Sequence, residues 1–188
     1  MNKTFLKAED LLRDSYELGL RILESGYRPT FIVGVWRGGT PVGIAIQEVL
    51  ELCNCPTNHF AIRTSSYDTQ NRQTDSVQVY GLQHMADVID VDDKLLIVDD
   101  VFDSGRSVEA IITRLKEKCR RNTPDDIKVA TPYFKPKKNT TDRMPDFYMH
   151  EVDQWLVFPH ELLGCTEAEM RANKPLPDRI FDRNLNLG

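Results

Sequence analysis

The chain has 188 residues, enough for one domain with a substantial core, and carries a formal net charge of −5 with 28% charged residues. That balance excludes the excess of Lys and Arg on which general nucleic-acid binding depends. No apolar run reaches the length of a membrane span, and the N-terminus lacks the apolar core of a signal peptide, so a soluble cytoplasmic protein is expected. Cys53, Cys55, Cys119 and Cys165 are expected to be reduced thiols, since no second pair stands at zinc-finger spacing.

From Ala8 to Ser25 apolar residues recur at helical spacing, and Gly26 closes that helix. Phe31–Trp36 predicts a buried strand. Arg37-Gly38-Gly39 follows as a glycine loop, with Thr40 as N-cap, Pro41 at the first helical position and a helix over Val42–Leu52. His59–Thr64 and Val77–Tyr80 predict strands flanking the polar stretch Ser65–Ser76, whose length suits an active-site lid.

The stretch Lys94–Ser107 organises the rest. Leu95–Val98 is an aliphatic run suited to a strand buried on both faces of a parallel sheet. It stops at Asp99 and Asp100, and then come Asp103, Ser104, Gly105, Arg106 and Ser107. Val108, Ile111, Ile112, Leu115 and Cys119 mark the helix that follows. A tight loop opening a helix is a phosphate site, because unpaired N–H groups and the positive dipole end point into it. The two acids suit sugar hydroxyls or a divalent cation rather than the phosphate itself.

Further on, Ile127–Phe134 predicts a strand with Lys135 at its carboxyl end, where parallel α/β sheets bind ligands. Pro136 fixes the turn, Lys137 and Lys138 read as a solvated basic face, and Asn139–Met144 reads as a polar linker. Phe147–Val152 predicts another strand. Trp155, before the turn at Pro159, can stack on a flat base, and a short helix is expected over Glu167–Asn173.

The Asp100-x-x-Asp103-Ser104-Gly105 form resembles the phosphoribosyl pyrophosphate signature of the type I phosphoribosyltransferases, and most of all their 6-oxopurine branch. The resemblance covers Phe31 to Glu161. It implies an α/β fold with a central, mainly parallel sheet flanked by helices and a small hood from the C-terminal part. It implies a single domain over 1–188, with a core over about 27–134 and a hood over about 135–165 with an N-terminal contribution.

By that resemblance, Arg37 and Gly38 bind pyrophosphate, through a loop often of unusual peptide geometry. Ser66, Tyr67 and Arg72 belong to a lid. Asp103, Ser104, Gly105, Arg106 and Ser107 hold the 5′-phosphate, and Asp99 and Asp100 hold the ribose and Mg²⁺, with Glu161 also near the metal. Asp103 is the catalytic base at purine N7. Lys135 reads the purine 6-oxo group, Trp155 covers the base and Leu156 contacts its edge through backbone. The implied substrates are phosphoribosyl pyrophosphate and guanine, xanthine or hypoxanthine, in a homodimer or homotetramer that uses neither nucleic acid nor membrane. The rival reading is a regulator of the same fold that binds phosphoribosyl pyrophosphate without turnover. The acidic balance, the lid and Trp155 favour the enzyme, while Phe134-Lys135-Pro136 and Trp155 disfavour orotate, uracil or adenine as the base.

Overall fold

A computed structural model describes residues 3–67 and 73–182. The chain forms two compact units, a larger one over Glu9–Asp153 and a smaller one made of the residues before and after it.

In the larger unit the helices are α1 (Ala8–Glu24), α2 (Gly39–Leu52), α3 (Leu82–Ala86) and α4 (Arg106–Cys119). Its strands, numbered after β1 of the smaller unit, are β2 (Phe31–Trp36), β3 (Asn58–Tyr67), β4 (Gln73–Tyr80), β5 (Lys94–Val98), β6 (Val101–Phe102), β7 (Asp126–Phe134) and β8 (Phe147–Glu151). The sheet runs β4-β3-β2-β5-β7, and every pairing is parallel except the β3–β4 hairpin. The lid stretch is therefore partly strand: β3 extends to Tyr67 and β4 begins at Gln73.

Alternation along the strands explains the layers. Val33, Val35, Leu95 and Ile97 face a core closed by Leu82 and Met85 of α3 and by Val108, Ile111 and Leu115 of α4. Ile32 and Val98 face the other way, where Gly43 of α2 sits against them. Gly19 of α1 in turn meets Val49 of α2. Helices thus flank both faces of a mainly parallel sheet, as the sequence predicts.

β5 breaks at Asp99 and Asp100, and the chain returns to β7 as β6. Tyr133 of β7 pairs with Val101 on one edge and with His150 of β8 on the other. Lys135 N–H donates to Phe102 O at 2.9 Å, which fixes the end of β7 beside the loop after β6. At the same level β7 satisfies a buried acid of α1. Asp14 accepts from the Tyr133 hydroxyl at 3.4 Å and lies 2.9 Å from His150 Nε2, and burial with this carboxylate pushes the Tyr133 phenol up to about 12.

In the smaller unit β1 (Lys3–Phe5) pairs in parallel with β9 (Trp155–Val157), and α5 (Glu167–Asn173) begins at a Thr166–Glu169 capping box. Lys3 Nζ donates to Glu169 at 2.8 Å, and buried Lys174 donates to Phe158 O at 2.5 Å.

The buried Tyr27 hydroxyl bridges the starts of β5 and β7, lying 3.0 Å from Leu95 O and 3.2 Å from Asp126 O. Burial first, then the Asp126 and Asp146 charges, raise its pKa above the ordinary phenol value. Tyr27→Phe is expected to cost about 1–2 kcal/mol at pH 8, because a buried acceptor loses its donor. A folded-state pKa above the unfolded value gives stability that is complete below about pH 10 and lost as pH rises toward the folded value. The gap between wild type and variant in urea unfolding should therefore narrow above pH 10. A gap that stays constant from pH 8 to 11 contradicts the assignment.

Candidate active site

The candidate residues gather at the carboxyl ends of β2, β5, β6 and β7. β2 ends at Trp36, the Trp36–Arg37 peptide is cis, and Gly38 stands in the αR region ahead of α2. The helix starts at Gly39, earlier than the Thr40–Pro41 pattern predicts. Thr40 therefore lies inside the first turn, with its buried hydroxyl making no hydrogen bond among the described residues.

The early start has a packing cause. A Cβ on Gly39 would overlap Val98 O and the Asp99 backbone, and one on Gly38 would overlap the Asp100 carboxylate. At position 39, where the obstacle is backbone, only glycine lets this turn lie against the end of β5.

Asp99 sits where the two loops meet. Its carboxylate accepts from Asp100 N–H at 2.9 Å, and from the Gly39 amide. Desolvation, then the adjacent Asp100 charge, raise its pKa well above the usual carboxylate range. Two adjacent, partly buried carboxyls suit a hard cation whose remaining ligands come from elsewhere. Among the described residues no group of three or more His, Cys, Asp or Glu could hold a metal. A cation here would therefore complete its shell with water and ligand oxygens.

The second loop runs Asp103–Ser107. Gly105 has φ +78° and caps α4 without a side-chain hydrogen bond, which leaves first-turn amides for an anion. A neighbouring loop buttresses it. Ser104 O accepts from Thr140 N–H at 3.0 Å and its hydroxyl at 3.1 Å, and a Cβ on Gly105 would overlap the Thr141 hydroxyl. Asn139 Oδ1 braces Thr141 in turn, accepting from its N–H at 3.0 Å and its hydroxyl at 2.9 Å. The stretch read as a polar linker is thus a support for the phosphate loop. Its Asn139-Thr140-Thr141 run, typical of side-chain-stabilised turns, is the signal for it in the sequence.

Lys135 is only 6% exposed and its Nζ lies 3.3 Å from Asp103 Oδ2. Lys138 reaches the same oxygen at 3.6 Å, so it is not purely a solvated lysine. The structure therefore joins Asp103 and Lys135, and brings Gly38 against Asp100 and Gly39 against Asp99. Arg37 and Arg106 are exposed at their respective loops. Ser66 and Tyr67 lie on β3, whose pairing with β4 is irregular between Ser65 and Tyr67. Arg72 lies outside the described residues.

Trp155, Leu156 and Glu161 belong to the smaller unit. Trp155 is 51% exposed, with Lys3 Nζ 5.9 Å from its ring centroid, and Leu156 is buried. One Glu161 oxygen accepts from Phe158 N–H at 3.0 Å. His160 stacks on Phe158 at a centroid distance of 5.7 Å.

The phosphoribosyl transferase domain model matches residues 1–163, and the chain belongs to that family. It is 30% identical over 133 residues to a xanthine-guanine phosphoribosyltransferase of Cereibacter sphaeroides, covering 70% of this chain and 68% of that protein. Its fold is similar to that of a purine phosphoribosyltransferase from Pyrococcus horikoshii Ot3. That match has a TM-score of 0.69 and 26% identity, covering 89% of this chain and 99% of the other. A protein from Neisseria gonorrhoeae crystallised with bound ppGpp shares the fold with a TM-score of 0.70 and 22% identity, covering 87% and 91% of the two chains.

Asp99→Asn is expected to raise the thermal stability of the ligand-free protein at pH 8, since the amide keeps the Oδ1 acceptor without a charge to desolvate. The folded pKa lies above the unfolded one, so the wild type loses this stability as pH rises through the folded value. The advantage of the variant should therefore shrink on acidification toward pH 4. Equal melting temperatures at pH 8 contradict the electrostatic account.

Proposed function

We propose that the protein is a purine-salvage phosphoribosyltransferase, moving the 5-phosphoribosyl group of phosphoribosyl pyrophosphate onto guanine, xanthine or hypoxanthine. The observation that carries this reading is the Asp103–Lys135 pair, one residue on the phosphate loop and the other at the end of β7. A carboxylate and a buried ammonium so placed can meet adjacent atoms of a 6-oxopurine, N7 and O6.

In the reaction the ribose C1–O bond to pyrophosphate breaks and a C1–N9 bond forms, so positive charge develops on the ribose while the leaving group gains negative charge. Positioning and charge stabilisation should dominate. The Asp103–Ser107 loop holds the 5′-phosphate on the first-turn amides of α4. Arg37 and the Gly38 turn hold the pyrophosphate, Arg37 supplying a fixed charge to several oxygens. Asp103 accepts the proton that the purine sheds from N7, and Lys135 donates to O6.

Mg²⁺, when bound, would neutralise pyrophosphate charge, and Asp99 and Asp100 are the residues proposed to hold it with the ribose hydroxyls. Ser66, Tyr67 and Arg72 as lid, Trp155 and Leu156 as purine contacts, and Glu161 near the metal enter the proposal on the family resemblance alone. So do a homodimeric or homotetrameric state and a cytoplasmic location. Among the described residues no helix is long and apolar enough to cross a membrane.

The test is incubation with phosphoribosyl pyrophosphate, Mg²⁺ and each of guanine, xanthine, hypoxanthine and adenine, followed by ultraviolet absorbance. Turnover of a 6-oxopurine is expected, with adenine disfavoured by about 10⁴-fold, because its amino group leaves Lys135 unpaired. No turnover with any base, alongside tight phosphoribosyl pyrophosphate binding, selects the regulator instead. Asp103→Asn should lower kcat by about 10²- to 10⁴-fold with nucleotide binding retained. Unchanged kcat removes Asp103 as the base. Lys135→Ala should weaken purine binding far more than phosphoribosyl pyrophosphate binding in separate titrations, and an equal loss of both overturns its role.

A further inference from the structure

The end of the larger unit opposite the strand carboxyl termini holds a second concavity, of about 580 Å³, between the C-terminus of α4 and the start of β7. Its volume falls within the range of small-molecule sites. Lys116, Arg120, Arg121 and Arg143 line it, with Asp125 as the one acid in its wall. A local excess of three positive charges is conspicuous on a chain of formal net charge −5.

None of Lys116, Arg120 and Arg121 is ion-paired among the described residues, whereas Arg114, on the same helix, pairs with Glu117 at 2.7 Å. Arg143 forms the back wall. It is half-buried, with both terminal nitrogens 3.4 Å from Ile127 O. Gathering like charges around one cavity is unfavourable until a counter-charge enters it.

The backbone adds an independent sign. Arg120 has φ +52° and ψ −112°, a conformation that glycine adopts readily and arginine does not. The helix could end there on glycine without strain. An arginine held in a sparsely populated region points to a side-chain role. The helix dipole accounts for cations near a C-terminus but not for a strained one, nor for Arg143, which comes from a distant part of the chain.

We propose that this pocket is a binding site for a small ligand carrying two or more phosphate groups, separate from the catalytic loops. α4 has 14 residues, about 20 Å of helix, and carries the Asp103–Ser107 loop at its other end, so one phosphate group cannot serve both sites. A small ligand is favoured over a nucleic acid because the cations line one concavity of small-molecule size on an otherwise acidic protein.

Isothermal titration with sodium tripolyphosphate at low salt, without Mg²⁺, tests the proposal. The proteins compared are the full-length wild type, the Lys116→Gln/Arg121→Gln double variant and Arg120→Gly. The double variant should bind one tripolyphosphate fewer per chain than the wild type, whatever the number held by the catalytic loops. Failure of the catalytic reading changes that number; failure of this one removes the difference. Arg120→Gly should melt no lower than wild type, since glycine relieves the backbone, yet bind at this site about tenfold more weakly. Identical stoichiometry and affinity in all three proteins overturns the site. So does tighter binding of a 20-nucleotide RNA lost in the same variants, or a change in sedimenting mass, which would make the patch a nucleic-acid or subunit contact.

Discussion

The Gly38–Gly39 turn has to pass hard against the end of β5, and the rest of the site depends on that approach. Any side chain at either glycine would occupy the volume of Val98 O, the Asp99 backbone or the Asp100 carboxylate. At Gly39 the contact is backbone to backbone and is reinforced by the Asp99 carboxylate accepting from Gly39 N–H, while Gly38 faces the Asp100 carboxylate. Two loops, each suited to an anion, are thereby held at a fixed separation by the sheet that both leave. β2 and β5 are adjacent and parallel, Gly34 standing beside Val98, and β6, which leads into the Asp103–Ser107 loop, runs parallel to β7 as β5 does. A ligand with anionic groups at two ends meets a spacing set by strand pairing rather than by side-chain rotamers, which is the preorganisation that positioning chemistry requires.

The break in β5 has the same logic. A continuous strand would send Asp99 and Asp100 to opposite faces of the sheet. The chain instead turns away for two residues and rejoins β7 as β6, keeping both carboxyls at the strand end. Desolvation of Asp99 is a consequence, and the ligand-free protein bears it as lost stability at neutral pH. β6 then delivers Asp103 beside Lys135, whose own backbone is tied to Phe102. The acid and the base of that ion pair come from neighbouring strands of one sheet, so their separation too is set by the ladder.

Much of this was legible from the chain alone. β2 and β5 are apolar runs buried on both faces, α1 and α4 carry strong apolar periodicity, and the loop after β5 has a distinctive order of residue types. What was illegible is nonlocal or brief. β1 has three residues and exists only because Trp155–Val157 pairs with it across most of the chain length. β6 has two residues. The start of α2 follows from contact with Val98 and Asp99, which overrides the capping preference of Thr40. Lys138 read as surface because nothing in its neighbours shows that the turn at Pro136 brings it back to Asp103. Asn139–Thr141 read as linker because its partner, Ser104, is some 36 positions away.

The charges gathered at the candidate site oppose one another. Amides and Arg37 favour an anion, while Asp99 and Asp100 repel one, and Asp99 already resists ionisation. The conflict is resolved by a ligand that is not uniformly charged: phosphate groups at its ends, hydroxyls between them that donate to carboxylates, and a cation travelling with it. A bare inorganic anion would satisfy the two loops and leave the acids opposed. A nucleoside would satisfy the acids and leave both loops unfilled. Under the proposed function, an activated sugar phosphate with its metal would fulfil every element at once. On that proposal the acids would contribute selectivity as well as positioning, because they penalise ligands that reach the loops without bringing hydroxyls and a cation to the gap between them.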